Sequence, residues 1–137
     1  MTFSNNLLQI DESLLRQILK AHSKTPKEAL YFELGCQPIR FILMARRINY
    51  LQYIIKLDKS ELLWKVFEAQ MNNPEKGDWF LQVTEDLKVF GIENTFDEIA
   101  KMSKFSFKNF VKKKSKEASL KYLNNMKKEH SKMDNLN

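Results

Sequence analysis

The chain carries a series of helix start and stop signals that divide it into short helical segments. Thr25 and Glu28 form a capping box with Pro26 at the first helical position, and Gly35 ends the segment that they open. The T-x-x-E pattern returns at Thr95. No run of residues alternates polar and apolar side chains as a half-buried strand does. The sequence therefore predicts an all-α fold.

Apolar residues at helical spacing predict about seven helices in a compact, sequentially packed array, which ends in a long basic helix. The predicted helices cover residues 10–22, 25–35, 38–57, 59–71, 79–90, 96–102 and about 104–132. With only 137 residues, the chain has the length of one domain, so we predict a single helical domain over residues 1–137.

Side chains at the helix ends and on the apolar faces complete this prediction. The expected N-terminal caps are Asp58 together with Glu61 for the fourth helix, Asp78 for the fifth and Thr95 for the sixth, and the expected stop after the fifth helix is Gly91. The expected inward faces are Leu62, Leu63, Val66, Phe67 and Met71 in the fourth helix; Trp79, Phe80, Val83, Leu87 and Phe90 in the fifth; and Phe107, Phe110, Val111, Ala118, Tyr122 and Met126 in the last.

Positive charge is concentrated at the C-terminal end. The net charge is +6, yet residues 1–100 hold 12 basic and 14 acidic side chains, whereas residues 101–137 hold 11 lysines and three acidic side chains. This imbalance indicates a polyanionic partner for the last helix. No window approaches the roughly 18 uncharged apolar residues of a membrane span, and there is no secretory leader pattern. We expect an intracellular protein, nuclear or cytoplasmic, without a membrane partner.

The third predicted helix is mostly apolar but contains three arginines and no acidic residue. A helical wheel places Arg40 and Arg47 on its apolar side, where a guanidinium needs a partner, and Arg46 between the two sides. One interpretation is a bidentate ion pair with Glu28 or Glu33, and the other is phosphate binding by all three arginines. The wheel places Asn49, Gln52 and Lys56 on the polar side.

Residue patterns typical of an enzyme are missing from the sequence. His22 and His130 stand apart without a neighbouring ligand, the single Cys36 excludes a paired-cysteine zinc site, and there is no glycine-rich phosphate loop. Adjacent carboxylates such as Glu85 and Asp86 are typical of surface charge. We predict a protein without catalytic residues, metal or cofactor.

The last helix carries a row of lysines at four-residue spacing. Lys104, Lys108, Lys112 and Lys116 fall on one side of the helix, with Lys113 beside them. A row of like charges repels itself, which an anion lying alongside would relieve. The alternative interpretation is the solvated face of an ordinary amphipathic helix.

Several ordered motifs resemble the polyproteins of non-long-terminal-repeat retrotransposons that carry a restriction-like endonuclease. The motifs are T-P-K-E-x-L-Y-x-E-x-G from residue 25, P-x-R-F-I from residue 38, K-G-D-W from residue 76, F-K-x-x-V-K from residue 107 and K-x-x-H-S-K-M from residue 127. The resemblance covers about residues 7–133. It places the chain between the reverse transcriptase and the zinc knuckle with its endonuclease.

This resemblance implies a non-catalytic linker, because the polymerase aspartates, knuckle cysteines and endonuclease acidic cluster of the family are missing from the chain. Reverse transcriptase and endonuclease domains of the same polyprotein are then its expected protein partners. RNA or DNA is the expected ligand, bound through phosphates by the residues listed here: Arg40, Arg46, Arg47, Lys104, Lys108, Lys112, Lys113 and Lys116. The alternative function is a scaffold or protein-interaction module that binds no nucleic acid.

Overall fold

A computed structural model describes residues 37–136, together with Ser13, and the side chains as far as residue 129. All regular structure in this part of the chain is helical: α1 (Ile39–Ile55), α2 (Leu62–Asn72), α3 (Trp79–Val89), α4 (Phe96–Lys101) and α5 (Lys104–Leu136). The all-α class and the long C-terminal helix are therefore confirmed. The predicted count of about seven helices is not matched, and the segments 10–22 and 25–35 lie outside the described residues.

The described residues fall into two compact units. Leu43–Ser115 forms one of them, and residues 37–42 with 116–136 belong to the other. In the unit that holds residues 37–42 and 116–136, the ring centroids of Phe41 and Tyr122 lie 5.5 Å apart, and Phe41 and Leu123 are buried. The single domain expected over residues 1–137 stays a prediction.

The core of the 43–115 unit is built from buried apolar side chains of all five helices and of the turn after α3. These are Met44, Ile48, Leu51 and Ile54 of α1, Phe67 of α2, Val83 and Leu87 of α3, Phe90 and Ile92 directly after it, Ile99 of α4, and Phe107 and Val111 of α5. Their spacing of three and four residues is that of a helix face turned to a core. The apolar faces predicted for the fifth and last helices are confirmed at Val83, Leu87, Phe107 and Val111.

A cluster of aromatic rings connects α2, α3 and α4 around the buried side chain of Phe67. Its ring centroid lies 5.6 Å from Phe80, 6.0 Å from Phe96 and 6.1 Å from Trp79, all in tilted or edge-on arrangements that aromatic rings prefer. Trp64 adds a fourth contact at 5.9 Å.

The prediction of an inward-facing side chain is wrong for two residues of α2. Leu62 is 76% exposed and Val66 is 47% exposed, whereas Phe67 of the same predicted face is buried. The aromatic cluster includes Phe67 and Trp64, so the side of α2 that carries these two residues faces inward. The wheel could not tell which part of a wide apolar stripe meets the core, because the partner rings come from other helices.

The local signals at the C-terminal end of α3 and at the N-terminal end of α4 act as predicted. Gly91 has φ +68°, and the N–H groups of Gly91 and Ile92 donate to the carbonyls of Lys88 and Leu87, which is a Schellman motif. Thr95 accepts a hydrogen bond on Oγ1 from the backbone N–H of Glu98, which confirms it as the N-cap, and its hydroxyl donates to the Glu98 carboxylate at 3.3 Å.

Asp78 and Glu61 occupy the N-cap positions of α3 and α2, but neither side chain makes the predicted capping hydrogen bond. The carboxylate of Asp78 instead accepts from the N–H of Glu75 within the preceding turn. The side chain of Gln70 on α2 takes over the capping role, because its Oε1 accepts from the N–H of Phe80 at 3.0 Å.

Candidate nucleic-acid interface

The guanidinium of Arg47 is held in a buried ion pair. Its Nε lies 2.5 Å from Oδ2 of Asp86 and its Nη2 lies 3.0 Å from Oδ1, in the bidentate geometry of arginine with a carboxylate. The side chain of Asp86 is 1% exposed and that of Arg47 is 24% exposed. Gln82 donates a further hydrogen bond to Oδ1 of Asp86.

This pair corrects two predictions. The partner of Arg47 is Asp86 rather than Glu28 or Glu33, and Asp86 is buried rather than part of a charged surface. The physical reason is the register of α3: residue 86 follows Val83 by three positions and directly precedes Leu87, so it shares their buried face. The Nε and Nη2 donors of Arg47 are therefore engaged within the protein.

Arg40 also makes structural contacts, although of another kind. Its guanidinium lies 5.3 Å from the ring centroid of Phe41 and 5.3 Å from that of Tyr122, within the range of a cation–π interaction. Glu28 and Glu33, its predicted partners, lie outside the described residues. Arg40 is half-buried in the unit that holds residues 37–42 and 116–136.

Gln52 is buried, although the wheel places it with Asn49 and Lys56 on the polar side of α1. The side chain is 4% exposed, and its Nε2 donates to the carbonyls of Ile99 and Met102 at 3.0 Å each. The last carbonyls of a helix are incompletely paired within it, and Gln52 adds a donor to the Ile99 carbonyl, which the Met102 N–H also reaches, and to the Met102 carbonyl. Lys56 reaches the same Met102 carbonyl at 2.7 Å.

The polar side of α1 borders a cleft of about 630 Å³, which we call the basic cleft. It is lined by Arg46, Asn49, Tyr50, Gln52, Tyr53, Lys56, Leu57 and Lys104. Three of these side chains are cationic, all three are exposed, and none of the lining residues is acidic. Arg46 makes no ion pair with any described residue, in contrast to its neighbour Arg47. An anion entering the basic cleft therefore meets only positive charge.

Two tyrosines one helical turn apart form an aromatic wall of the basic cleft. The rings of Tyr50 and Tyr53 are stacked, with centroids 5.5 Å apart and planes at 27°, and the residues are 47% and 55% exposed. Tyr50 also meets the edge of Trp79 at 6.0 Å, and Trp79 belongs to the Phe67 cluster. This chain of rings fixes Tyr50 against the folded unit.

The basic cleft brings together only some of the predicted site residues. Arg46 and Lys104 line it, and Lys108, Lys112 and Lys113 continue along α5 in the same unit, all exposed. Lys116 is exposed as well but belongs to the other unit.

Tyr50, Tyr53 and Lys56 were not predicted as site residues. Their signal was present as an i, i+3, i+6 series on the polar side of α1, beside Arg46. The helical wheel assigned sides to charged residues and did not ask which aromatic residues would remain exposed.

Among the described residues, none of the helices is long and apolar enough to cross a membrane. Within the same part of the chain, His, Cys, Asp and Glu side chains form no group of three that could hold a metal ion. Comparison with protein-family models, curated proteins and solved structures finds no match for this chain.

Proposed function

We propose that this chain is a non-catalytic helical segment of a retrotransposon polyprotein, and that it holds RNA or DNA through phosphate contacts at the basic cleft and the lysine row of α5. The observation that carries the proposal is the lining of the basic cleft, which includes Arg46, Lys56 and Lys104 and no acidic side chain. Charge of one sign in a concave surface attracts the opposite charge more strongly than scattered surface charges do.

The arrangement suits a chain of phosphates better than a single small anion. Lys104 lines the basic cleft, and Lys108 and Lys112 follow it at one-turn intervals along α5, each about 6 Å further along the helix axis. Exposed lysines of this kind bind phosphates as point charges without reading the bases. The contacts therefore position a strand and provide no sequence preference.

The sequence motifs support the polyprotein setting. They resemble the region between the reverse transcriptase and the zinc knuckle, where a non-catalytic domain would hold template or target strands while the neighbouring domains act. In this proposal the reverse transcriptase and endonuclease domains of the full polyprotein are the protein partners, and the segment acts inside the cell.

A scaffold function has its own supporting observation. Arg47 is tied to Asp86, and Arg40 lies over two aromatic rings, so two of the three arginines of α1 stabilise the fold. A scaffold that only packs against neighbouring domains would need nothing more from α1. Under this alternative, the exposed cations of the basic cleft only keep the surface solvated.

The two functions differ in a binding measurement at varied salt. The chain is titrated into a labelled single strand and into a labelled duplex at salt concentrations from about 50 to about 300 mM, and binding is followed by fluorescence anisotropy. The affinity should fall steeply as the salt concentration rises, because the release of counterions from the phosphates then favours binding less. The double variant Lys108→Glu with Lys112→Glu should bind more weakly and with a shallower salt dependence. Absence of binding at the lowest salt would rule out the proposed function and favour the scaffold.

A further inference from the structure

We infer that the basic cleft binds an unpaired nucleotide, with its base stacked on the Tyr50–Tyr53 pair and its flanking phosphates held by the cations of the lining, Arg46, Lys56 and Lys104. The inference rests on the proposed function and narrows its ligand to single-stranded nucleic acid. The cationic side chains alone would accept any polyanion. The tyrosine rings are what distinguishes a strand with free bases from a duplex.

The first support is the exposure of the tyrosine pair. Both rings remain about half exposed although they contact each other, and Tyr50 has a further edge contact with Trp79. Aromatic side chains exposed in a concave, basic surface are what single-strand binding proteins use to stack bases, and every base has a flat face suited to this. In a duplex, those faces are covered by neighbouring bases.

The second support is the combination of size and charge. A cleft of about 630 Å³ falls within the roughly 300–1,000 Å³ of sites that enclose small organic ligands, so it has room for a nucleotide. Arg46 lies four residues before Tyr50, and Lys56 lies three residues after Tyr53, so cations stand on both sides of the pair along α1. A nucleotide base with a phosphate on either side matches this order of cation, tyrosine pair and cation.

An acidic peptide is the other polyanion that the charge would accept. Its carboxylates would pair with Arg46 and Lys104, but its backbone would make no use of two stacked tyrosine rings. The stacked geometry, with ring planes at 27°, favours a planar ligand over a peptide.

The experiment compares three labelled ligands of about 20 nucleotides with the full chain at low salt: a single strand, an abasic strand with the same phosphates, and a duplex. We expect the single strand to bind about tenfold more tightly than the abasic strand, since stacking on aromatic side chains contributes on that scale. The duplex should bind no better than the abasic strand. Tyr53→Ala should remove the advantage of the single strand and leave the abasic affinity unchanged.

Matched variants keep the test specific. Phe105 is 75% exposed and does not line the basic cleft, so Phe105→Ala should leave all three affinities unchanged. Tyr53→Phe retains the ring and should retain the preference. If Tyr53→Ala lowers the melting temperature, Tyr53→Leu provides an apolar side chain without a ring and should show the same loss of preference.

Each contrary result identifies what has failed. Equal affinity for the single strand and the abasic strand, unchanged by Tyr53→Ala, would overturn the stacking inference while the proposed phosphate binding stands. Displacement of the single strand by poly-glutamate at equal charge concentration, with no effect of Tyr53→Ala, would also overturn it, in favour of an acidic peptide. No binding of any of the three nucleic acids would overturn the proposed function as well.

Discussion

Arg46 and Arg47 are neighbours in α1, but the fold gives them opposite environments. Arg47 points to the core side and closes a bidentate pair with Asp86, whose side chain is 1% exposed. Arg46 is exposed in the basic cleft and has no carboxylate partner among the described residues. A rotation of about 100° between successive helical residues separates a structural arginine from one that is available to a ligand.

The same division holds one turn later. Gln52 also borders the basic cleft, but it is buried and donates both of its hydrogen bonds to carbonyls beside α4, while Tyr53 is 55% exposed and stacks on Tyr50. The buried polar side chains of α1 are satisfied within the protein. The exposed ones leave charged and aromatic groups to the solvent, which is where a binding surface is expected.

The largest expected change in the free energy of unfolding follows from removal of the Arg47–Asp86 ion pair. Arg47→Ala should lower the free energy of unfolding by about 3–5 kcal/mol, because it leaves the Asp86 carboxylate buried without its partner. Arg46→Ala is the matched control and should change it by less than about 0.5 kcal/mol. Urea unfolding followed by circular dichroism measures both. Equal effects of the two substitutions would remove the distinction between the two arginines.

Gln52→Leu tests how much a buried but uncharged polar side chain of α1 contributes to stability. We expect a loss of about 1–2 kcal/mol, since the Ile99 and Met102 carbonyls lose a buried donor while each retains another hydrogen bond. Thermal unfolding of Gln52→Leu beside Asn49→Leu, a half-exposed lining position, measures the difference. A Gln52→Leu protein as stable as the wild type would mean that these hydrogen bonds contribute little.

Arg46→Ala should change binding rather than stability. Loss of one phosphate contact should weaken affinity for all strands alike and reduce the slope of log affinity against log salt by about 1. Arg47→Ala, measured at a temperature where it remains folded, should leave the slope unchanged. An unchanged slope for Arg46→Ala would show that this exposed arginine contacts no phosphate.

The smallest expected effect concerns Asp58, in the turn after α1. Hydrogen bonds from Ser60, chiefly its backbone N–H, lower the pKa of Asp58 below its ordinary value of 3.8. A lowered pKa means that the ionised carboxylate stabilises the folded state above about pH 4, and that this contribution is lost as the pH falls through the lower folded-state value. Asp58→Asn should therefore lower the melting temperature slightly at pH 7 and by less at pH 3. An equal difference at both pH values would contradict the role of the charge.

Some features that depend on a few adjacent residues were predictable from the sequence. The Gly91 stop and the Thr95 N-cap follow from the backbone chemistry of four to six residues and formed as predicted, whereas the side chains of Asp78 and Glu61 do not cap their helices. The long basic helix followed from its spacing and composition. Such features need no knowledge of what packs against them.

Features that depend on distant residues were not predictable. Asp86 lies 39 positions from Arg47, and Gln52 finds its acceptors 47 and 50 positions away. A helical wheel gives the direction of each side chain within its own helix, but the partner depends on how α3 and α4 are placed against α1. For the candidate site, the sequence identified Arg46 and Lys104 as cations but not that one cleft would join them to two tyrosines.

The most direct test of the account removes the charge of the basic cleft and compares it with an equal loss of charge elsewhere. The double variant Arg46→Gln with Lys104→Gln loses two cations from the cleft lining, and Lys65→Gln with Lys76→Gln loses two exposed cations outside it. Binding of a labelled single strand across a salt series should show the salt slope reduced by about 2 for the cleft variant and nearly unchanged for the control. Equal slopes for the two variants would contradict the assignment of the basic cleft as the nucleic-acid interface.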